Sequence, residues 1–331
     1  MGLKYAVILG LLVVAELVYF RIAEHFGIVD HPNGRSSHRK VVLRGGGVIY
    51  IVGMWLYAAF FGMELWPFLA GLTLAGVVSF VDDVRSLSDG VRLVVQFVAM
   101  GLVFYGWGVL QLGYWWMVLP GMVLCVGIVN AYNFMDGING INGAYTLAVL
   151  GALLIVATGA STGSATVPVI VVGMLADLVF CVFNFAPKGK ARCFAGDVGS
   201  VGAAFIVVFL LGRLILATGD FTYLVFLAVY GVDSVLTIVH RIMLRENLGV
   251  AHRKHAYQIM ANELGMEHTV VAAIYAGLQF VICVVMMVIP KTAAWHWGYF
   301  AFVCIALGIA YIVFMKKYYH LHREYLENGD Y

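Results

Sequence analysis

Apolar residues run along the chain in blocks of roughly 15–22, close to the 20 or so residues that a helix needs to cross a lipid hydrocarbon layer. The blocks fall at 3–22, 44–62, 66–81, 91–109, 115–132, 140–158, 166–184, 198–217, 221–244, 269–290 and 295–315. They predict an all-α, polytopic integral membrane protein with about eleven transmembrane helices. The first block follows Lys4 and lacks a small-x-small cleavage pattern, so it is read as an uncleaved first helix rather than a signal peptide. No internal repeat of the kind found in many transporters is visible.

The polar segments between the blocks divide into two groups. Segments 23–43, 82–90, 133–139, 185–197, 245–268 and 316–331 hold Arg35, Arg39, Lys40, Arg85, Lys188, Lys190, Arg192, Arg245, Arg253, Lys254, Lys316, Lys317 and Arg323. The other group is short, with Lys291 its clearest basic residue and Lys4 at the outer N-terminus. The excess of Lys and Arg puts the first group in the cytoplasm. An odd number of spans then leaves the N-terminus outside and the C-terminus inside. The small, polar stretch 157–166 is an expected outer loop, and 316–331 an expected cytoplasmic tail forming a short helix. Residues 1–331 are read as a single transmembrane catalytic domain.

Composition agrees. The chain of 331 residues is 63% hydrophobic and 11% charged, against about 25% charged in soluble proteins. A water-soluble enzyme is excluded. The net charge of +2 is uninformative in itself, and no nucleic-acid partner is expected. Five cysteines without CxxC spacing point to neither disulfides nor a zinc site.

Acidic groups near membrane depth are costly and usually functional. Asp82 and Asp83 stand where the third span meets the cytoplasm, about 100° apart if helical, so one could hold a cation while the other faces a substrate. Their alternative is a solvated helix end with Arg85 as partner. Asn130, Asn133, Asp136, Asn139 and Asn142 recur every third residue, a slowly turning stripe if on one helix. Amides beside a carboxylate suit sugar hydroxyls and a nucleobase, though such a stripe can also be interhelical glue. Asp197 opens the eighth span, where it is either an N-cap or a ligand for a metal bound to phosphate. Mg²⁺ takes such carboxylates together with substrate phosphates.

A basic loop accompanies these acids. Arg241 and Arg245 end the ninth span, and His252, Arg253, Lys254 and His255 follow, a set suited to a pyrophosphate or, more blandly, to anionic lipid. The first cytoplasmic loop, D-H-P-N-G-R-S-S-H-R-K, precedes Arg44-Gly45-Gly46-Gly47, where glycines suggest close packing or a nearby phosphate.

These pieces together resemble the polyprenyl-phosphate N-acetylhexosamine-1-phosphate transferase superfamily, also called glycosyltransferase family four. The motifs are D-H-P-N-G-R-S-S-H, R-G-G-G, F-V-D-D-V, N-F-M-D-G-I-N-G, F-A-G-D-V-G-S and A-H-R-K-H-A-Y-Q, in family order over nearly the whole chain. The resemblance implies transfer of a sugar-1-phosphate from a UDP-sugar to a polyprenyl phosphate such as undecaprenyl phosphate, with release of UMP. It implies a multi-pass protein of the inner (cytoplasmic) membrane with its active site on the cytoplasmic face. Asp82 and Asp83 correspond to the paired acidic motif and, with Asp197, form the expected catalytic set. Asp197 and Asp83 are the expected ligands of Mg²⁺, with Mn²⁺ as the alternative ion. Asn130, Asn133, Asp136, Asn139, His252, Arg253 and His255 are expected to bind substrate.

Two departures matter. Val41-Val42-Leu43 stand where the family usually has Pro-x-Pro, and Asn139 stands where some relatives carry a second Asp, so a four-carboxylate scheme does not carry over. His-Arg-Lys-His in place of three consecutive histidines looks more like the branch that uses simple UDP-N-acetylhexosamines to start O-antigen of lipopolysaccharide, capsule or other surface glycans. A secondary transporter is the competing class, but its sites are expected near the bilayer midplane. The sequence names neither the sugar nor the oligomeric state, a homodimer included.

Overall fold

The computed structural model describes residues 2–30, 41–111, 113, 115–159, 166–250 and 252–328. The expected basic loop residues Arg35, Arg39 and Lys40, and most of the expected outer loop at 160–165, lie outside the described residues. The described elements are α1 (Gly2–Phe26), α2 (Ile49–Phe61, entered through a 3₁₀ turn at Gly46–Val48), α3 (Trp66–Val84), α4 (Asp89–Gly106), α5 (Trp115–Phe134), α6 (Ile141–Gly159), α7 (Thr166–Asn184) and α8 (Gly196–Thr218). There follow α9 (Ala228–Met243, entered through a 3₁₀ stretch at Phe221–Leu227), α10 (Ala256–Asn262), α11 (His268–Val288) and α12 (Ala293–Asn328). Among the described residues the one sheet pairs two-residue strands, Val29–Asp30 and Val42–Leu43. Among the described residues ten helices, counting Phe221–Met243 as one, are long and apolar enough to cross a membrane, and Gly46–Phe61 is a shorter apolar helix. The all-α, polytopic membrane architecture expected from the apolar blocks is the one found.

The chain reverses at each connection. The ends of α1, α3, α5, α7 and α9 and the starts of α2, α4, α6, α8 and α11 therefore gather at one end of the bundle. Contacts between these ends confirm the gathering: Tyr19 of α1 donates to Arg44 O, and Asn133 of α5 donates to Ser200 of α8.

Two elements differ from the sequence-based expectation. The asparagine stripe does not ride on one helix: α5 stops at Phe134 and α6 starts at Ile141, so Asp136 and Asn139 sit on the loop between them. Glycines at 137 and 140 permit that break, and Gly140 adopts a φ of 79°. The tail is not a separate short helix either. It continues α12 without interruption, a 36-residue rod whose far part leaves the apolar zone.

Helix α8 is the axis of the bundle. Every residue from Val198 to Leu211 is buried, packed between α3, α5 and α6. Small residues let other backbones come close, which is how helices associate where lipid offers no hydrophobic driving force. The tightest approach is between Gly47 and Gly199, where a Cβ on either would fall on the other's Cα. Gly199→Leu should therefore lower the melting temperature of the detergent-solubilised protein, since overpacking costs about 1–3 kcal/mol. Melting indistinguishable from wild type would mean that these backbones are free to separate.

Candidate active site

The site is assembled around the N-terminus of α8. A helix start exposes backbone N–H groups with no partner in the helix, and away from water each must find an acceptor. Ala195, at the cap position, offers no side-chain acceptor. The acceptor comes from another helix. Asp83, in the last turn of α3, takes the Asp197 N–H on Oδ1 at 2.8 Å and the Val198 N–H on Oδ2 at 3.0 Å. Its Oδ1 also accepts from Arg44 Nε at 2.7 Å. The Asp83 side chain is 0% exposed. Gly196 makes room for it: φ is 70° there, and a Cβ would stand 2.5 Å from Asp83 Oδ2.

The glycines after Arg44 serve backbone contact. Gly46 N–H donates to Phe194 O, Gly47 N–H to Ala195 O, and Phe194 N–H to Leu43 O. Residues 43–47 are thereby zipped to the turn that opens α8, and this holds Arg44 over Asp83.

Two arginines thread the acids. Arg44 lies 3.7 Å from Asp197 and also pairs with Asp30. Arg92, in the first turn of α4, donates through Nη1 to Asp82 at 2.7 Å and to Asp197 at 3.0 Å, and through Nη2 to Asp89. Asp82 Oδ1 accepts the Leu87 N–H at 2.6 Å, closing the α3–α4 connection. The partners of the acidic pair are Arg44 and Arg92, not the Arg85 of the alternative, solvated-end reading. The sequence reading missed Arg92. The available signal was a lone cation at the start of an apolar span, at the bundle end where the acids cluster.

A cavity of about 240 Å³ opens beside Asp197, lined by Arg44, Asn133, Asp136, Asn139, Ser200 and Gln258 among others. Asn133 donates to Ser200 Oγ at 3.1 Å. The Asp136 carboxyl is pushed up to about 7, first by its burial and then by the charges of Asp197 and Asp83, with Arg44 opposing. Anionic, amide and hydroxyl groups converge here with one guanidinium, a surface for a polar, charged ligand.

Other expected ligands have different tasks. Asn130 donates to Gln96 Oε1 and Val126 O, joining α5 to α4, and does not line the cavity. Asn139 lines it, but its amide also holds Ala186 O and Pro187 O. The basic loop is turned inward. Arg253 donates to Glu263 at 3.0 Å and lies over the Tyr325 ring of α12, and His322 pairs with the same carboxylate at 2.8 Å. Arg241 is bound to Glu246 and to the carbonyls of Asn247, Leu248 and Val250, and Lys254 pairs with Glu246. Burial, then the neighbouring His255, Arg241 and Lys254, hold His252 down to about 3, so its imidazole is neutral near neutral pH. His252, Arg253 and His255 do not line the cavity, whereas Gln258 of α10 does.

Among the described residues no group of three or more His, Cys, Asp or Glu could hold a metal ion by itself. Mg²⁺, however, is commonly held by one or two carboxylates and completed by substrate phosphates. Asp197 and Asp136, both on the cavity wall, are a donor set of that kind. Asp83, expected as a second ligand, is engaged otherwise. Both its oxygens are taken by the α8 N-terminus and Arg44, and an ion there would have to displace them.

A family model described as glycosyl transferase family 4 matches residues 65–215. That stretch holds Asp82, Asp83, Arg92, Asn133, Asp136, Asn139 and Asp197. That match supports glycosyl transferase family 4 as the family this chain resembles. Its curated relatives include a probable undecaprenyl-phosphate N-acetylglucosaminyl 1-phosphate transferase of Bacillus subtilis, 27% identical over 322 residues, covering 90% of this chain and 87% of the relative. The undecaprenyl-phosphate alpha-N-acetylglucosaminyl 1-phosphate transferase of Escherichia coli K12 is 27% identical over 209 residues, 58% of this chain and 56% of that protein. The phospho-N-acetylmuramoyl-pentapeptide-transferase of Streptococcus pneumoniae is 27% identical over 215 residues, 56% of this chain and 64% of that protein. The family match and the names of these relatives support the family read from the motifs.

The capping geometry has a measurable consequence. Asp83→Ala should lower the melting temperature even in EDTA, because losing a cap costs about 0.5–2 kcal/mol and Arg44 also loses its partner. Asp197→Ala, which strips no backbone N–H of its acceptor, should lower it less. Equal melting of both variants with wild type would remove Asp83 from the capping role.

Proposed function

We propose that the protein transfers N-acetylglucosamine-1-phosphate from its UDP-linked donor to undecaprenyl phosphate, releasing UMP. The observation that carries this reading is the cavity at one end of the bundle, where Asp136, Asp197 and Arg44 line the wall together with the amides of Asn133, Asn139 and Gln258. The names of the B. subtilis and E. coli relatives support the sugar and the lipid. Lys188, Lys190, Arg192, Arg245, Lys316 and Lys317 lie towards the same end as the cavity, which supports a cytoplasmic active site in an inner membrane. A role in starting a surface glycan, such as O-antigen or capsule, accords with this product.

Asp197, with Asp136, would hold Mg²⁺ or Mn²⁺, and the bound ion supplies charge neutralisation at the diphosphate. Arg44 and Arg92 flank Asp197 and are placed to exchange a carboxylate for phosphate oxygens. Asn133, Asn139 and Gln258 offer hydrogen bonds for orienting the nucleotide sugar. The lipid phosphate is the nucleophile; with a second pKa of about 6 it is largely dianionic at neutral pH, so a strong protein base is unnecessary. Asp82, held by Arg92, remains a candidate for orienting its last proton. Most of the rate then comes from positioning and charge stabilisation.

The purified protein, UDP-N-acetylglucosamine and undecaprenyl phosphate should yield UMP and the lipid-linked sugar diphosphate, dependent on a divalent cation. Asp197→Asn should cut the rate by about 100-fold or more. Wild-type turnover by that variant would remove Asp197 from the ion site, and no turnover by wild type with any UDP-N-acetylhexosamine would sink the function.

A further inference from the structure

The end of the bundle opposite the candidate active site holds a second cavity, of about 760 Å³, which the transferase reading does not use. It lies where α8 ends, the 3₁₀ stretch before α9 begins, α11 ends and α12 begins. Its walls are of two kinds. Ile155, Phe221, Met286, Met287 and Trp297 make an apolar side. Asp220, Lys291, Thr292 and His296 make a polar one.

The polar side is ordered by Asp220. Its Oδ1 accepts the Thr222 N–H at 2.9 Å and the Thr222 hydroxyl at 2.6 Å, and its Oδ2 pairs with His296 Nδ1. Desolvation raises the Asp220 carboxyl, but the bonds from Thr222 and His296 outweigh it and hold it below its ordinary value. That carboxylate is committed to the fold, and it fixes the His296 ring. The ring is 5% exposed and belongs to the cavity wall, and its Nε2 is buried with no hydrogen-bond partner among the described residues. An unmet buried nitrogen is costly, so a wall that retains one is suited to a ligand. Lys291 is exposed on the same wall. Directly after it α12 starts, and the first turn of a helix leaves backbone N–H groups for an acceptor from outside. A cation, an imidazole and a helix start side by side favour an oxyanion.

The depth of the cavity points to the source of that anion. Exposed tryptophans surround this end of the bundle: Trp66 opens α3, Trp115 and Trp116 open α5, and Trp295 and Trp297 lie in the first turns of α12. Tryptophan gathers at the membrane–water interface, which puts Lys291, shortly before Trp295, at the level of the lipid headgroups. The apolar side of the cavity then suits an acyl chain. We propose that this cavity binds an anionic phospholipid, its phosphate held between Lys291 and the His296 ring at the start of α12 and its acyl chain laid against Phe221, Met286 and Met287. Such a lipid would tie the ends of α8, α11 and α12 together from outside. The site lies at the opposite end of the bundle from Asp197, so it does not depend on the transferase reading.

The test is photocrosslinking of the full chain in detergent to a phosphatidylglycerol that carries a diazirine on its acyl chain, with the labelled peptides mapped by mass spectrometry. Segment 286–297 of the wild type should be labelled. Unlabelled phosphatidylglycerol should compete for that labelling, whereas phosphatidylcholine and inorganic phosphate at the same concentration should not. Lys291→Gln should lower the apparent affinity read at 286–297 by about 10-fold and leave labelling of the far part of α12 unchanged, while Lys291→Arg should keep it near wild type. His296→Gln should act in the same direction as Lys291→Gln. Because Lys291 is exposed, its variants decide the matter even should His296→Gln fail to fold. Competition by phosphatidylcholine as strong as by phosphatidylglycerol would make the cavity an unselective lipid contact and overturn the proposal. Competition by inorganic phosphate would show a site for the free anion and overturn the lipid assignment. No labelling of 286–297, or labelling indifferent to Lys291→Gln, would equally remove the site.

Discussion

The site depends on one carboxylate accepting the first N–H groups of a helix to which it does not belong. Helix α8 is buried from Val198 onward, so the first N–H groups of the helix need acceptors from the protein. Asp83 reaches across from α3 to satisfy two of those donors, and Arg44 holds the same carboxylate from the α2 side. Three helix ends are thereby fixed by a single side chain. Asp197, the first-turn residue of α8, owes its orientation to that cap.

Charge is organised around the same point. Asp83, Asp197 and Asp82 would repel one another if left alone in a poorly polar setting. Arg44 and Arg92 each contact more than one of them. The result is a compact alternation of acid and base whose members can change partners when an anion arrives. Further from the cavity the bonds are of another kind. Arg241, Arg253 and Lys254 are committed to neighbouring acids and carbonyls, shaping a loop.

The fold was largely legible because a bilayer imposes one length and one polarity on every crossing. The apolar blocks at 66–81 and 166–184, for instance, correspond to α3 and α7. The site was legible only in outline. Motif order put Asp82, Asp83, Asp136 and Asp197 together, but spacing along a chain says nothing of partners across helices. Asp83 read as a metal ligand, and spacing gave no sign that its oxygens cap α8. Asn130, on the same three-residue stripe as Asn133, faces Gln96 instead of the cavity, because the helix ends at Phe134 and the stripe is broken. Arg92 carried no local signal beyond being charged within an apolar run, and it grips Asp197, far away in sequence.

Helix α12 carries an implication of its own. Its first part presents Phe302, Ile305, Ile309 and Ile312 outward, while its last turns hold Arg253 and Glu263 through Tyr325 and His322. Because the helix is one unbroken rod, these two ends cannot move independently. A helix of this exposure takes its tilt from the thickness of the surrounding hydrocarbon. A change in the tilt of the rod would therefore load the contacts that hold Arg253 and Glu263, so that the thickness of the surrounding lipid bears on the segment around α10.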